Sequence, residues 1–452
     1  MPRVVIDRDT CKGCELCCVA CPTHVLGMSK TLNTKGFFPA EVVDPEHCTG
    51  CKMCAVACPD VAIQVYGKKP KAGPKKELKA STASRKRIPV DDGPAKAKPR
   101  KMLMKGCEAI GEAAIRAGLD GYFAYPITPQ NEVAEYMVKR MPQVGGAFLQ
   151  GESEVAVANM LYGAAGAGAR VFTTTSSPGF SLMAEGISYI AGAELPCVLV
   201  NIMRSGPGLG GILAAQSDYR QATKAAGHGD YRCLVLAPST VQEAAELTAQ
   251  AFELADLYRN PVIVLADGMI GQMMEAVDLQ KIPQRTDLPR KSWATDGCKG
   301  RKPNAATSLW LDPAVLEQLN LRLVEKYKRM VANEVRFELY NTEKPYALLC
   351  VAYGTMARIC KTAIDSLAAE GIQVGLIRPI SLYPFPFKAV LDASRQAEKV
   401  ISIELSTGQM IDDVNLALEG TKHSLFFGRC GGMIPTPEDV AAEMKRALRG
   451  GE

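Results

Sequence analysis

From Met102 to about Gly271 the apolar positions keep two rhythms in turn. EAIGEAAIRAGL, NEVAEYMVKRM, ESEVAVANMLYGAAGAG, FSLMAEGISYIAG and TVQEAAELTAQAFELADLYR repeat apolar residues every three or four positions. That is the period of a helix with one buried face. Between them stand GYFAYP, GAFLQG, ARVFTTTSS, PCVLVNIM and PVIVLAD, short apolar runs that predict strands. Helices and strands in alternation predict a parallel sheet covered on both faces. In such sheets ligands bind where strands end and loops begin, which draws attention to Tyr125–Pro129, Ser176–Gly179 and Arg204–Gly211. The alternation returns over 345–452. There ALLCVAYG, VGLIRPI, VISIEL and SLFFGR predict strands, and ARICKTAIDSLAAEG, PFKAVLDASRQAE, MIDDVNLALEG and PEDVAAEMKRALRG predict helices. These make a separate, smaller α/β domain. Residues 272–344 read as a connector, helical and charged around Ala305–Glu343.

The first hundred residues break this pattern. Residues 68–101 are rich in Lys, Arg, Pro, Ala and Gly with almost nothing to bury, and they predict a basic flexible linker. Residues 1–67 hold two cysteine runs, each spaced C-x2-C-x2-C-x3-C-P: Cys11, Cys14, Cys17, Cys21 before Pro22, and Cys48, Cys51, Cys54, Cys58 before Pro59. This is the spacing of bacterial ferredoxins with two [4Fe-4S] clusters. Three cysteines on one tight loop grip three corners of a cube, and the fourth reaches the other cube. The expected ligand sets are therefore Cys11, Cys14, Cys17 with Cys58, and Cys48, Cys51, Cys54 with Cys21. A pair of zinc sites also uses C-x2-C but has no need of this repeat. Cys18 is a spare thiol, read as a small buried apolar residue. VVID and AIQVY are expected to pair as strands, with the clusters supplying much of the stability of so small a unit.

Composition changes this picture little. The 452 residues are too many for one core, and 47% hydrophobic with 22% charged is ordinary for a soluble globular protein. The net charge of +5 is small, and much of the positive charge sits in the linker, so nucleic acid is not implied. The linker charge would suit an acidic electron-carrier protein better than a polynucleotide. Of sixteen cysteines, eight belong to the two runs and the rest are scattered, which fits a reducing cytoplasm rather than a disulfide scaffold. No run of the sequence suits a signal peptide or a membrane span.

Longer motifs carry a resemblance. AYPITPQNEVAEYM, GESEVAVANML, TTTSSPGFSLMAEGISYIAGAELPCVLVNIMRSGPG and QSDYRQATKAAGHGDYRCLVLAPS are similar to the α subunit of 2-oxoacid:ferredoxin oxidoreductases. VAYGTMARICKTAI, GLIRPISLYPFP and IELSTGQMIDDV are similar to the transketolase-C-like domain of that family. The resemblance covers nearly everything from Met102 onward, and the cysteine runs resemble the family's small ferredoxin subunit. It implies an α/β protein: a bacterial-type 2[4Fe-4S] ferredoxin domain (1–67), a thiamine-enzyme pyrimidine-binding-type domain (102–271) and a transketolase-C-like domain (345–452). It also implies an enzyme that decarboxylates a 2-oxoacid oxidatively with thiamine diphosphate and Mg2+. The acyl group would go to coenzyme A, and electrons would pass singly through the clusters to ferredoxin.

The resemblance assigns three residues. Glu154 matches the glutamate that contacts N1′ of the aminopyrimidine. The small apolar residues after it would favour a protonated carboxyl able to share its proton with a ring nitrogen. The bland reading is a first-turn helix acid, which suits Glu152 better. Thr128, between Pro126 and Pro129, matches the position that hydrogen-bonds substrate; the bland reading makes Thr128 or Asn131 a helix cap. Arg204 matches the arginine that grips the substrate carboxylate in a two-pronged contact, and Ser205 stands where the family often has glycine. The loop Gly206–Gly211 lacks the G-x-G-x-x-G form of a dinucleotide site, and His228 is read as structural. Members of the thiamine class hold the diphosphate through Mg2+ at a GDG motif and a following asparagine. This chain has Ala266-Asp267-Gly268 and no asparagine until Asn304. The diphosphate and Mg2+ are therefore expected on a partner β subunit carrying a further cluster, with a γ subunit as another partner. The motifs point to a branched-chain 2-oxoacid or 2-oxoglutarate. An aryl-substituted 2-oxoacid, or a non-catalytic electron-transfer adaptor, are the competing readings.

Overall fold

The computed structural model describes residues 2–66 and 101–449, apart from Ala225, Pro283, Thr286 and Pro289. The linker expected at 68–101 lies, except for Lys101, outside the described residues. The chain divides into two compact units, Met1–Thr82 and Ala83–Glu452.

The smaller unit runs β1 (Arg3–Ile6), α1 (Leu16–Ala20), β2 (Leu26–Met28), β3 (Ala40–Val42), α2 (Met53–Val56) and β4 (Ile63–Tyr66). As expected from VVID and AIQVY, β1 pairs antiparallel with β4, Val5 facing Gln64. The backbone repeats itself with the cysteines, each position matching one 37 residues later, as Cys11 matches Cys48. Gly13 and Gly50 take φ of 71° and 70°, Glu15 and Lys52 take 62° and 67°, and His24 and Val61 take 52° and 53°. A side chain at Gly13 would also run into the Phe38 carbonyl, its Cβ only 2.4 Å from that oxygen. The tight loop thus depends on glycine there. Cys11, Cys17, Cys21 and Cys54 are buried among Val25, Leu26, Ala40, Ala62 and Ile63. Cysteines make up much of this small core.

The larger unit opens with β5 (Met102–Lys105), α3 (Gly106–Arg116), β6 (Gly121–Ala124), α4 (Asn131–Arg140), β7 (Ala147–Gln150), α5 (Glu154–Gly166) and β8 (Val171–Thr175). It continues with α6 (Ser177–Gly192), β9 (Cys197–Met203), α7 (Tyr219–Thr223), β10 (Leu234–Leu236), α8 (Val241–Tyr258), β11 (Pro261–Asp267), α9 (Gly268–Gln272) and β12 (Met274–Val277). Then come α10 (Pro313–Asn333), β13 (Phe337–Tyr340), β14 (Leu348–Val351), α11 (Gly354–Ala369), β15 (Val374–Pro379) and β16 (Ser381–Tyr383). The series ends with α12 (Phe387–Ser394), β17 (Lys399–Glu404), α13 (Met410–Ala417), β18 (Ser424–Gly428) and α14 (Pro437–Arg449).

Seven strands form one sheet in the order β16-β10-β11-β9-β8-β6-β7, all parallel except β16. Every residue of β9 and β11 is buried, and these continuous apolar strands take the middle. β7, with three of its four residues exposed, takes the edge. A second sheet has the order β13-β15-β14-β17-β18.

The structure differs from the sequence reading along the connector. The helix there starts at Pro313, not Ala305, because the Asp312 side chain accepts the Ala314 N–H at 2.9 Å and proline fits the first helical turn. β12 pairs with β5, and β13 forms an edge of the second sheet. Nor does the second α/β part stand apart. Its β16 pairs with β10, and Arg378 reaches Glu243 through two contacts of 2.8 Å and Glu338 at 2.7 Å. Tyr219 donates to Asp413 at 2.6 Å. The two sheets share one body.

Candidate active site and cluster loops

The C-terminal ends of β6, β7 and β9 place the three singled-out residues. α5 begins where Ser153 accepts the Ala156 N–H at 3.2 Å. Its first residue is Glu154, so the first-turn acid is Glu154 itself, and Glu152 precedes the helix. The Glu154 carboxyl is buried, 4% exposed, over the first turn of α6. A Cβ at Gly179 would lie 2.3 Å from Glu154 Oε1 and 2.3 Å from Thr175 Oγ1. Only glycine at 179 leaves that carboxyl its place.

Arg204 follows β9. Its Nη1 donates to the Thr128 carbonyl at 3.0 Å and its Nη2 to the Leu209 carbonyl at 3.1 Å. The two candidates therefore meet, but through the Thr128 backbone. The Thr128 hydroxyl instead accepts Asn131 Nδ2 at 3.3 Å. Neither Thr128 nor Asn131 caps α4, whose N-cap is Gln130. Sequence reasoning named Ser176–Gly179 as a group but missed what it does. The Ser177 hydroxyl accepts the Arg204 N–H at 3.0 Å and lies 2.5 Å from Asp218 Oδ2, which also accepts Asn201 Nδ2 at 2.9 Å. Burial pushes the Asp218 carboxyl above its ordinary value, against the opposing pull of these hydrogen bonds. Ser177 thus ties the α6 turn under Glu154 to the backbone of Arg204.

Polar atoms wait unpaired around this point. Ser176 Oγ, Arg204 Nε, Asn131 Oδ1 and Asn201 Oδ1 are buried without a hydrogen-bond partner among the described residues. Buried polar atoms of this kind are ones that a bound polar group could satisfy. Asp267 is different. Its Oδ1 accepts Met269 N, Ile270 N and Thr355 Oγ1 at 3.0, 3.2 and 2.7 Å, and its Oδ2 accepts Thr355 N at 3.3 Å. Its oxygens are committed to capping α9 and binding α11. His228 is exposed, its ring edge-on to Tyr189. The loop after Arg204 is a closed turn: Ser205 N and Oγ both donate to the Leu213 carbonyl at 3.0 Å, and Leu209, Ile212 and Leu213 point outward.

In the smaller unit, Cys21 lines one cavity together with Cys48, Cys51 and Cys54. Cys17 lies beside Cys18, Cys11 and Cys14, and burial, then Cys18, then Cys11 and Cys14 push its thiol up to about 12. Backbone amides point at the sulfurs in matching places: Val25 N to Cys21 Sγ and Ala62 N to Cys58 Sγ, both 3.3 Å, and Ala40 N to Cys11 Sγ, 3.4 Å. Burial raises the Cys21 thiol, but the Val25, Thr23 and Leu26 amides and the Thr23 hydroxyl outweigh it and hold the thiol below its ordinary value. Among the described residues no three His, Cys, Asp or Glu are gathered as around a single metal ion. Cys21, Cys48, Cys51 and Cys54 surround a cavity instead, and thiolates ringed by N–H donors suit a cube of iron and sulfide. Cys18 is half-buried, its thiol 3.8 Å from Met28 Sδ.

Comparison with known proteins extends this geometry. A family model described as "Pyruvate flavodoxin/ferredoxin oxidoreductase, thiamine diP-bdg" matches residues 112–331. The pyruvate:ferredoxin oxidoreductase core domain II matches 347–440, and a 4Fe-4S dicluster domain matches 10–62. Ketoisovalerate oxidoreductase subunit VorB of Methanothermobacter marburgensis is 46% identical over 345 residues, 76% of this chain and 97% of its own. The chain belongs to the 2-oxoacid:ferredoxin oxidoreductase family. 2-Oxoglutarate synthase subunit KorA of Methanocaldococcus jannaschii is 34% identical over 372 residues, 77% of this chain and 99% of its own. A solved 2-oxoglutarate:ferredoxin oxidoreductase from Magnetococcus marinus, with 2-oxoglutarate, coenzyme A and succinyl-CoA bound, superposes with a TM-score of 0.70 at 27% identity. It covers 78% of this chain and 66% of its own. The VorB match spans nearly all of that relative and leaves about a quarter of this oxidoreductase subunit outside, consistent with a dicluster unit fused to an α-type subunit. Among the described residues no helix is long and apolar enough to cross a membrane.

Proposed function

We propose that this chain is the α-type subunit, with a built-in electron relay, of a cytoplasmic oxidoreductase acting on a branched-chain 2-oxoacid. The observation that carries the reading is the gathering of Glu154, Thr128 and Arg204 around the first turn of α6, in a chain that also holds ferredoxin-type cysteine loops. The overall change converts one 2-oxoacid anion and one coenzyme A thiol into acyl-CoA, CO2, one proton and two electrons. Each electron leaves singly for an iron–sulfur cluster.

Arg204 takes the substrate carboxylate. Its two terminal nitrogens now rest on backbone carbonyls, and a carboxylate offers both a charged acceptor in their place. The Thr128 hydroxyl holds the substrate from the other side. Thiamine diphosphate, when bound, supplies the nucleophilic carbon and the electron sink for loss of CO2. Glu154 would face its aminopyrimidine, with Gly179 leaving the carboxyl its place. The unpaired Ser176, Asn131 and Arg204 atoms are free to bind the cofactor or substrate. Asp267, fully engaged in capping, would leave Mg2+ and the diphosphate to a partner β subunit carrying a further cluster. Cys11, Cys14, Cys17 and Cys58 would hold one [4Fe-4S] cluster, and Cys48, Cys51, Cys54 and Cys21 the other. Ferredoxin is the final acceptor.

Two observations favour a branched-chain substrate over 2-oxoglutarate. The ketoisovalerate-type relative is the more similar to this chain, 46% identical against 34%. The loop that contacts Arg204, Ser205–Leu213, carries no second cation for a distal carboxylate. The test is anaerobic turnover of this chain with its β subunit against 2-oxoisovalerate, 2-oxoglutarate, pyruvate and an arylpyruvate. Bleaching of the clusters by 2-oxoisovalerate and coenzyme A, ahead of the other acids, is the expected result. Absence of reduction with every acid would overturn the catalytic reading.

A further inference from the structure

Glu154, Thr128 and Arg204 all belong to the first α/β part, yet the backbone of Arg204 is held from the second. The link is the segment Ala214–Asp218, which joins the loop after Arg204 to α7. At its front, Ala214 forms an antiparallel bridge with Arg204. At its back, Asp218 Oδ2 accepts the Ser177 hydroxyl at 2.5 Å, and that hydroxyl oxygen accepts the Arg204 N–H at 3.0 Å. Both ends of one short segment thus grip the same residue.

Between the two grips stands Gln216, fully buried. Its backbone N–H donates to the Leu405 carbonyl at 2.8 Å, and its Oε1 accepts the Leu405 N–H at 3.0 Å. Its Nε2 donates to the Tyr353 carbonyl at 2.8 Å, and its own carbonyl accepts the Tyr353 hydroxyl at 3.3 Å. Leu405 directly follows β17, and Tyr353 lies just beyond β14, the neighbouring parallel strand. The side-chain amide does for these two strand ends what a peptide group does inside a sheet, donating to one and accepting from the other. Room for it is kept by Gly354, where a Cβ would stand 3.0 Å from Gln216 Nε2. Gln409 repeats the device one residue further on: its Nε2 donates to the Ser217 carbonyl at 2.6 Å and its Oε1 accepts the Arg220 N–H at 2.9 Å. Filling space alone calls for apolar side chains, as Ala214 and Ala215 supply. Buried bonds of this kind are costly to break, so the segment takes its place from the second sheet and passes that place to Arg204.

We propose that Gln216 is a positioning residue for recognition of the 2-oxoacid carboxylate, acting through the backbone of Arg204. This rests on the reading that Arg204 takes that carboxylate. In the holoenzyme, Gln216→Met keeps the length and removes the amide. KM for the 2-oxoacid is expected to rise about tenfold, with kcat and KM for coenzyme A within about twofold, because a grip made equally in ground and transition states changes KM alone. Tyr353→Phe, which removes one bond, should raise KM about threefold. Added to Arg204→Lys, Gln216→Met should cost less than about twofold more, since both act through one guanidinium. Without substrate, hydrogen exchange at the bonded amides of Arg204, Ser205 and Gly211 should quicken about tenfold in Gln216→Met while β9 and β11 hold. Unmoved exchange at those amides would overturn the proposal whatever the kinetics. So would a raised KM in Arg204→Lys without one in Gln216→Met, or a Gln216→Met enzyme that loses kcat and coenzyme A affinity as much as 2-oxoacid affinity. Quickened exchange with KM unmoved in both variants would instead defeat the carboxylate reading of Arg204 and leave its positioning by Gln216 standing.

Discussion

Gly179 is the position at which the candidate site can be disturbed with the least chemistry. Gly179→Ala adds one methyl group, and its carbon would stand 2.3 Å from Glu154 Oε1 and from Thr175 Oγ1. Real contacts of this kind begin at 3.0 Å and are ordinary from 3.4 Å. The Glu154 carboxyl must therefore retreat by the difference, 0.7–1.1 Å (3.0 − 2.3 to 3.4 − 2.3). Two effects on stability oppose each other. Alanine favours the helix by ~1 kcal/mol, and overpacking costs ~1–3 kcal/mol, so a net loss of ~0–2 kcal/mol is expected. The effect on catalysis is larger, because displacing a reacting group by ~1 Å can lower a rate ~100-fold, or ~2.7 kcal/mol. The assay is kcat of the reconstituted complex at saturating thiamine diphosphate and substrate, alongside thermal melts. Glu154→Gln, which keeps the shape and removes the acid, should cost ~10²–10⁴-fold. Because both variants act through one carboxyl, the double variant should cost little more than E154Q alone. A G179A enzyme within twofold of wild-type kcat would refute the placement of Glu154. So would a double variant whose losses multiply.

Arg204→Lys keeps the charge but cannot span the Thr128 and Leu209 carbonyls or grip a carboxylate with two prongs. KM for the 2-oxoacid should rise by roughly 10- to 100-fold, read from initial rates. Cys21→Ser should remove the cluster of the second cysteine run, not of its own, leaving the Cys11, Cys14 and Cys17 signal in the electron paramagnetic resonance spectrum of the reduced chain. Loss of the first-run signal instead would reverse the assignment. The Asp218 carboxyl lies above its ordinary value chiefly because it is buried. A raised folded value means the protonated form suits the fold, so stability falls as pH rises from the unfolded value, ~3.9, through the folded one. Asp218→Asn should therefore raise the melting temperature of the complex at about pH 8, with the gain shrinking as pH falls toward the carboxylate range. A gain that grows on acidification would contradict this.

The middle of the larger sheet was legible because β9 and β11 are continuous buried runs, and only a central parallel strand needs both faces apolar. β10 and β16 escaped notice because three residues each carry no periodicity, yet their pairing binds the second α/β part into the first. The cysteine loops were legible in full detail of spacing, since each ligand needs a fixed place on a tight turn. The matched left-handed residues Glu15 and Lys52 were not, because no residue type announces them. At the candidate active site the residues were named but their contacts were not. Thr128 offers Arg204 its carbonyl, which every residue has, so sequence could not show it. Ser177 and Asp218 meet across 41 positions of chain, a pairing that only the fold creates. Gly179 could have been suspected from SSPG directly after a strand, where a helix begins beneath a neighbouring loop.

The central claim is that chemistry begun beside Glu154 drains into the cysteine-bound clusters of the same chain. Mixing the holoenzyme anaerobically with 2-oxoisovalerate and coenzyme A, without ferredoxin, tests it directly by electron paramagnetic resonance. The account predicts reduced [4Fe-4S] signals that Cys21→Ser diminishes selectively and that Glu154→Gln slows ~100-fold or more while dithionite still reduces both clusters. Substrate-driven reduction that is indifferent to Glu154, or product formation that never reduces these clusters, would contradict it.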